Sequence, residues 1–257
     1  MRGILFDLDG VLYNGDQPIA GAAGAVAWVR ERGIPHLFVT NTTSRGTEVI
    51  AEKLRRFGVP AVANDILTPP RATAEWLASQ PCGPLALFVP PKTRGEFAGF
   101  DVLPDDAETG AAYVIAGDFG EGWDFRSLNR AFRLLQANPA AKLIALGMTR
   151  YWQAPDGLRL DTAPFVVALE TAAGRRAIVL GKPSREFFDA AVARLGLPHE
   201  DVLMVGDDIR TDIAGAQAAG LKAALVRTGK FRESDLSEGI VPNFILNSVA
   251  SLQELLG

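Results

Sequence analysis

The chain has 257 residues, of which 48% are hydrophobic and 22% are charged, and its formal net charge is −4. These values are typical of a globular protein. They exclude a disordered or fibrous chain, and the acidic balance gives no electrostatic basis for binding nucleic acid. The single cysteine, Cys82, fits a reducing, cytoplasmic setting, and no apolar run approaches the roughly 20 residues needed to span a bilayer.

Short apolar runs alternate with helical patterns at the start of the chain. The pattern predicts strands at 4–6 and 36–39 and helices at 21–32 and 46–57, the second helix being closed by Gly58. This alternation is typical of parallel β-α-β units.

The same alternation returns in the last third of the chain. It predicts strands at 177–180, 202–205, 223–226 and 244–246, and helices at 186–195, 211–219 and 249–256. We therefore expect both ends of the chain to form one parallel sheet.

The segment between these two halves has its own strands, at 85–89, 112–116 and 142–146, and a helix at 125–137. It follows Pro69 and Pro70 and ends near Gly174, which are residue types common where a chain leaves a domain. The sequence thus predicts an α/β fold with a Rossmann-like parallel-sheet core and a smaller inserted α/β domain. The predicted limits are 1–70 and 177–257 for the core and 71–176 for the insertion.

Polar side chains with the same kind of chemistry follow four of the predicted core strands. In open α/β sheets ligands bind outside the carboxyl ends of the strands, so these side chains are candidates for one site. They are Asp7 and Asp9, Thr40 and Asn41, Lys182, and Asp207 with Asp208.

Several carboxylates brought together repel one another unless positive charge compensates them. Mg²⁺ is the cation that we expect, because it takes oxygen ligands, often together with a substrate phosphate, whereas zinc prefers histidine or cysteine. Neither of the two histidines, His36 and His199, follows a predicted strand.

A site with Mg²⁺ and Lys182 suits a phosphoryl group, whose negative charge must be neutralised before a nucleophile approaches. Asp7 is the predicted nucleophile, forming an aspartyl-phosphate, and Asp9 is the predicted general acid and base. Thr40 and Asn41 are predicted to bind phosphoryl oxygens, and Asp212 to steady either Lys182 or a metal-bound water.

Each signal has a simpler explanation when it stands alone. The sequence DLDG is also typical of a turn after a strand, and Thr40 and Asn41 are common hydrogen-bonding residues in loops. Asp212 is typical of the first turn of a helix, and Lys182 could be an exposed loop residue. The combination of all four signals in one order favours a catalytic site.

The motifs DLDGVL, FVTN, GKP and VGDDIRTDIAGAQAAG resemble, in this order, the four motifs of the haloacid dehalogenase superfamily. The long insertion resembles the α/β cap of the NagD-like subgroup. The stretches VTNTT, RYW, PFVVALE and RTGKF are similar to the phospholysine phosphohistidine inorganic pyrophosphate phosphatase group within it.

This resemblance implies Asp7, Asp9 and Asp207 as metal ligands, with Asp9 acting through its backbone carbonyl. It implies Thr40 and Asn41 as phosphate binders and Lys182 as the charge stabiliser. An aspartate at position 9 argues for a phosphatase, since dehalogenase members lack it and pumping ATPases carry threonine there.

We expect a small phosphorylated metabolite as substrate and neither nucleic acid nor membrane as a partner. Related proteins with this cap often pair through it, which makes a homodimer an expectation. The alternative is a catalytically idle relative that binds a phosphorylated metabolite or a partner protein. Arg150, Tyr151 and Trp152 offer contacts for a substrate, although a surface hairpin explains them equally well.

Overall fold

The computed structural model describes residues 1–154 and 156–257. Each strand that it describes is two to five residues long. In chain order they are β1 (Gly3–Asp7), β2 (Tyr13–Asn14), β3 (Gln17–Pro18), β4 (His36–Val39), β5 (Ile66–Leu67), β6 (Leu85–Phe88), β7 (Tyr113–Ala116), β8 (Lys142–Ala145), β9 (Tyr151–Ala154), β10 (Gly157–Leu160), β11 (Ile178–Val179), β12 (Val202–Gly206), β13 (Lys222–Val226) and β14 (Phe244–Leu246).

The helices alternate with these strands. They are α1 (Ala22–Glu31), α2 (Thr47–Arg56), α3 (Pro69–Ala78), α4 (Phe125–Ala137), α5 (Thr162–Ala173), α6 (Arg185–Leu195), α7 (Gly215–Ala218) and α8 (Leu252–Leu256). Their ends follow local chemistry. The Asp124 side chain accepts the Ser127 amide at the start of α4, and α6 ends at Gly196, whose φ is 65°.

The chain folds into two compact units. The first comprises residues 1–40, 47–68 and 182–257, and the second comprises residues 41–46 and 69–181. The second unit therefore runs through Gly181, past the limit at 176 that the sequence predicts.

The first unit contains a six-stranded sheet in the order β14-β13-β12-β1-β4-β5, with every neighbouring pair parallel. From β1 the following strands β4 and β5 are added on one side of the sheet, and from β12 the strands β13 and β14 are added on the other side. The two central strands β1 and β12 therefore flank a topological switch point. In open α/β sheets the carboxyl ends of strands at such a point form a binding crevice. Asp7 ends β1, and Asp207 directly follows β12.

Burial of the central strands on both faces explains their continuous apolar runs. All five residues of β1 and of β12 are buried. Phe6 and Leu203 belong to a core that also includes Val26 and Val29 of α1 and Leu54 of α2. These packed strands form the rigid part of the unit on which the strand-end residues are carried.

The second unit has its own parallel sheet, in the order β11-β8-β7-β6. Helices α4 and α5 pack on one face, where Leu134 and Val166 join a buried cluster around Val114. The antiparallel hairpin β9–β10 also belongs to this unit.

The structure confirms the predicted α/β class and the parallel core sheet, but the predicted placement of segment 177–180 in that core sheet is wrong. Ile178 and Val179 pair with Ile144 and Ala145 of β8, so β11 is an edge strand of the second unit. A short apolar strand carries the same pattern in either sheet, and the free edge of β8 decides where it pairs.

The predicted helix at 211–219 is divided in the structure. Residues Ile209–Ala214 form a π-helical turn, and α7 follows it. The sequence did not predict β5, α3 or α5, and it offered a surface hairpin as one of two explanations for the stretch that forms β9 and β10. None of the described helices is both long and apolar enough to traverse a bilayer.

Candidate active site

Three buried carboxylates converge in the first unit. Asp7, Asp207 and Asp212 each place one carboxylate oxygen within 4.8 Å of the others. Their exposed fractions are 7%, 1% and 1%. They come from β1, from the loop after β12 and from the π-helical turn, so the switch point gathers residues that are far apart in the chain.

Lys182 joins two of these carboxylates. Its Nζ donates to Asp7 Oδ1 at 2.6 Å and to Asp212 Oδ1 at 2.7 Å, and the residue is 4% exposed. The predicted meeting of Asp7 and Lys182 therefore appears in the structure, although Lys182 follows a strand of the second unit's sheet and not a core strand. Of the two predicted partners for Asp212, the structure provides Lys182.

Burial and neighbouring charges both shift the pKa values of this cluster. Burial raises the pKa of Asp7 to about 6, against the opposing charge of Lys182. The pKa of Asp207 rises to about 7, first through burial and then through the charges of Asp7 and Asp212. Burial alone would lower the pKa of Lys182, but Asp212 and then Asp7 raise it above its usual value. The ammonium therefore stays charged, while the carboxylates lack sufficient positive charge.

Asp207 is held by backbone and keeps one oxygen for a ligand. Its Oδ2 accepts the Lys230 amide at 2.6 Å, whereas its buried Oδ1 accepts no hydrogen bond from the described residues. A buried carboxylate oxygen without a partner is costly. A bound cation would satisfy it.

The segment Thr228–Gly229–Lys230 fixes both Asp207 and the loop after Asp7. The Thr228 hydroxyl donates to the Gly10 carbonyl, and Lys230 donates its amide to Asp207. Gly229 has a φ of +65°, and a Cβ built there would lie 2.1 Å from Asp207 Oδ2 and 2.4 Å from Gly10 Cα. Only glycine allows this close approach.

These three residues are functional candidates that motif-based reasoning did not assign. In the sequence, the stretch RTGKF indicates only the family resemblance and no role for a single residue. Lys230 acts through its backbone amide, and Gly229 acts because it has no side chain. The one signal in the sequence is therefore a glycine shortly after a buried strand.

Asp208 has a role different from that of its neighbour. Its Oδ1 accepts the amides of Arg210 at 3.0 Å and Thr211 at 2.9 Å, which caps the π-helical turn. The Asp208 amide in turn donates to Asp212 Oδ2 at 3.2 Å. The residue therefore orients Asp212 and does not belong to the carboxylate cluster.

The other predicted residues lie at or shortly after strand ends. Thr40 is buried and follows Val39, which pairs with Asp7 across β1 and β4. Asn41 is half-buried and belongs to the second unit. The Asp9 side chain is exposed, and its Oδ1 accepts the Gly15 amide at 3.2 Å. The roles of these three residues stay predictions.

The cluster fits a hard divalent cation. All of its candidate ligands are carboxylate oxygens, which magnesium and calcium prefer, whereas zinc sites are built mainly from nitrogen and sulfur. The unpartnered Asp207 Oδ1 and the raised pKa values of Asp7 and Asp207 indicate the same lack of positive charge.

Comparison with known families gives two matches. A family model described as haloacid dehalogenase-like hydrolase matches residues 4–102, which include β1 and Asp7. A related model of the same kind of hydrolase matches residues 179–252, which include Lys182 and the other two carboxylates.

Individual relatives match nearly the full chain. The chain is 36% identical to human (Homo sapiens) phospholysine phosphohistidine inorganic pyrophosphate phosphatase over 239 residues, covering 91% of this chain and 86% of the relative. It is similar to the solved p-nitrophenyl phosphatase from Archaeoglobus fulgidus, with 29% identity, a TM-score of 0.89 and coverage of 99% and 98%. NagD from E. coli shares the fold at a TM-score of 0.85, with 24% identity over 97% of both chains.

The role of Gly229 gives a prediction. Gly229→Ala should weaken divalent-cation binding by about 10- to 100-fold, because a Cβ would displace the Asp207 carboxylate. Isothermal titration of Mg²⁺ or Mn²⁺ into the variant measures this change. The control is Gly196→Ala, which also has a φ of +65° but has no neighbouring atom within 4 Å of the added Cβ. Equal losses in both variants would mean that backbone strain alone is responsible.

Proposed function

Because the chain belongs to the haloacid dehalogenase-like hydrolase family, we propose that it is a Mg²⁺-dependent phosphatase that forms an aspartyl-phosphate on Asp7. Its class is that of a phosphate-ester hydrolase, and a small phosphorylated metabolite is the proposed substrate. The observation that carries the proposal is the buried cluster of Asp7, Asp207 and Asp212 held by Lys182.

The cation site supports a phosphoryl-transfer reaction. Mg²⁺, held by the Asp7 and Asp207 carboxylates and the Asp9 carbonyl, would supply positive charge for the phosphoryl oxygens. Asp207 Oδ1 is the ligand best prepared for this role, since it is buried and accepts no hydrogen bond within the described part of the chain.

Asp7 is the proposed nucleophile. Its Oδ1 is bound by Lys182, which fixes the direction of the carboxylate and leaves Oδ2 to attack phosphorus. Lys182 also places a permanent positive charge beside the reacting group, and Asp212 holds that ammonium in position from its other side.

Asp9 is the proposed proton carrier. Asp9 is exposed and lies two residues after Asp7. It can protonate the leaving oxygen and later take a proton from the water that attacks the aspartyl-phosphate. Its hydrogen bond from the Gly15 amide orients the side chain. Thr40 and Asn41 are proposed to bind phosphoryl oxygens.

We also propose a cytoplasmic location, supported by the presence of one exposed cysteine, Cys82, which makes no internal disulfide. The homodimer implied by the family resemblance stays a prediction. We favour this enzyme over the catalytically idle alternative, because Asp7, Asp207 and Lys182, the residues proposed to act, lie together in one buried cluster.

The first prediction concerns the nucleophile. Asp7→Asn should reduce hydrolysis of p-nitrophenyl phosphate by at least about 10³-fold, because an amide cannot attack phosphorus as a carboxylate does. Circular dichroism should show an intact fold. The matched control is Asp16→Asn, whose side chain is 94% exposed and which should keep full activity. Substantial activity in Asp7→Asn would overturn the assignment.

The second prediction concerns Asp9. With p-nitrophenyl phosphate, whose leaving group needs no proton, Asp9→Asn should accumulate phosphorylated protein, because activation of the attacking water is lost. Intact-protein mass spectrometry after an acid quench should show one added phosphoryl group. The added mass should be missing from the double variant Asp7→Asn/Asp9→Asn. Wild-type turnover by Asp9→Asn would contradict this role.

The third prediction concerns the cation. Mg²⁺ at about 100 times its dissociation constant should stabilise the folded protein by about 2.7 kcal/mol, since it binds only the assembled cluster. Thermal unfolding with MgCl₂, and with KCl at matched ionic strength, measures this effect. Asp207→Asn should fold and lose the Mg²⁺-dependent increment, whereas the exposed-site control Asp106→Asn should keep it. An unchanged increment in Asp207→Asn would exclude Asp207 as a ligand.

A further inference from the structure

The second unit contains a cavity of about 540 Å³ that the proposed reaction does not use. Three aromatic rings and three charged groups give the cavity its chemical character. They are Phe119, Trp152 and Phe165, and Asp118, Glu121 and Arg159.

The cavity lies at the carboxyl end of this unit's parallel sheet. Asp118 follows β7 by two residues, and Pro90, which also lines the cavity, follows β6 by two. Crevices outside the carboxyl ends of parallel strands are where open α/β sheets bind ligands. The position therefore suits a binding site independently of the side chains.

Two of the three aromatic rings are fixed by packing. Phe165 stacks on Trp123 with ring centroids 5.1 Å apart and an interplanar angle of 12°. Phe119 meets the same indole edge-on at 5.7 Å. Trp123 is itself locked by its Nε1–H, which donates to the Gly117 carbonyl at 3.0 Å. These contacts form an aromatic wall whose side chains are already ordered, so a ligand that binds against it loses little free energy in fixing them.

Trp152 provides a third, more accessible ring. It lies on β9 and is 41% exposed. The sequence offered Trp152 either as a stacking residue for a substrate or as part of a surface hairpin, and in the structure it lies on the hairpin and lines the cavity as well.

The charged groups give the cavity an acidic character. Asp118 is half-buried and has no ion pair with any residue in the described ranges. Burial raises the pKa of the Asp118 carboxyl, and the charge of Asp161 raises it further. Arg159 does not compensate Asp118, because its guanidinium already donates to both Asp156 oxygens, at 3.1 and 2.6 Å.

Aromatic faces beside an uncompensated carboxylate favour one ligand chemistry. An ammonium group gains from the ring faces and from the negative charge together, whereas an anion would be repelled by Asp118 and Glu121. A neutral apolar ligand would use the rings but would gain nothing from the negative charge of Asp118 and Glu121.

We propose that this cavity binds a small organic cation, such as an alkylammonium or quaternary ammonium group.

Direct binding tests the proposal. Isothermal titration of choline into the full-length protein should show at least about fivefold tighter binding than titration of 3,3-dimethyl-1-butanol, its neutral isostere. Equal affinities, or no binding of choline, would overturn the proposal, since an apolar cavity does not distinguish the two.

Variants locate the site. Asp118→Asn should weaken choline binding by about tenfold and leave binding of the neutral alcohol unchanged. Trp152→Leu should weaken both. Asp106→Asn, an exposed acidic position in the same unit, is the matched control and should change neither. Unchanged choline affinity in Asp118→Asn would refute the assignment of this carboxylate.

Discussion

The first unit depends on balancing three buried carboxylates with one ammonium group. Like charges in a low-dielectric interior destabilise the fold unless they are compensated, and removing one partner of a buried ion pair typically costs about 3–5 kcal/mol. Lys182 lies 175 residues after Asp7, so local structure cannot bring the two together. The chain must complete the inserted segment and return to the sheet before the charges meet. Assembly of the site therefore requires the long-range fold of this unit.

Much of this site could be predicted from the sequence because strand ends are visible as a change from apolar to polar residues. Strand β4 and helix α4 have the bounds that their patterns predict, and Asp7 and Asp207 lie at the ends of neighbouring strands. The sequence shows less clearly which strands pair with each other in a sheet. Segment 177–180 was assigned to the wrong sheet, because an apolar run records burial but not the neighbour that buries it.

The contribution of Thr228–Lys230 shows a second limit of sequence-based reasoning. This segment acts through one hydroxyl, one amide and one missing Cβ, and none of these has a distinctive residue pattern. The cavity of the second unit also has no distinctive residue pattern in the sequence. Asp118 and Phe165 line it although they are 47 positions apart, and its aromatic wall is visible only in the packing of Trp123 against Phe165.

Asp207 and Asp208 are adjacent in the chain but face opposite constraints. Asp207 contributes a charge that no other residue type except glutamate could supply, and glutamate would need additional space. Asp208 contributes only an acceptor for two backbone amides, which asparagine, serine or threonine provides as well. Any of these residues at position 208 would keep the two hydrogen bonds, whereas loss of the carboxylate at position 207 would remove a charge from the cluster. The two adjacent acidic residues therefore tolerate different substitutions.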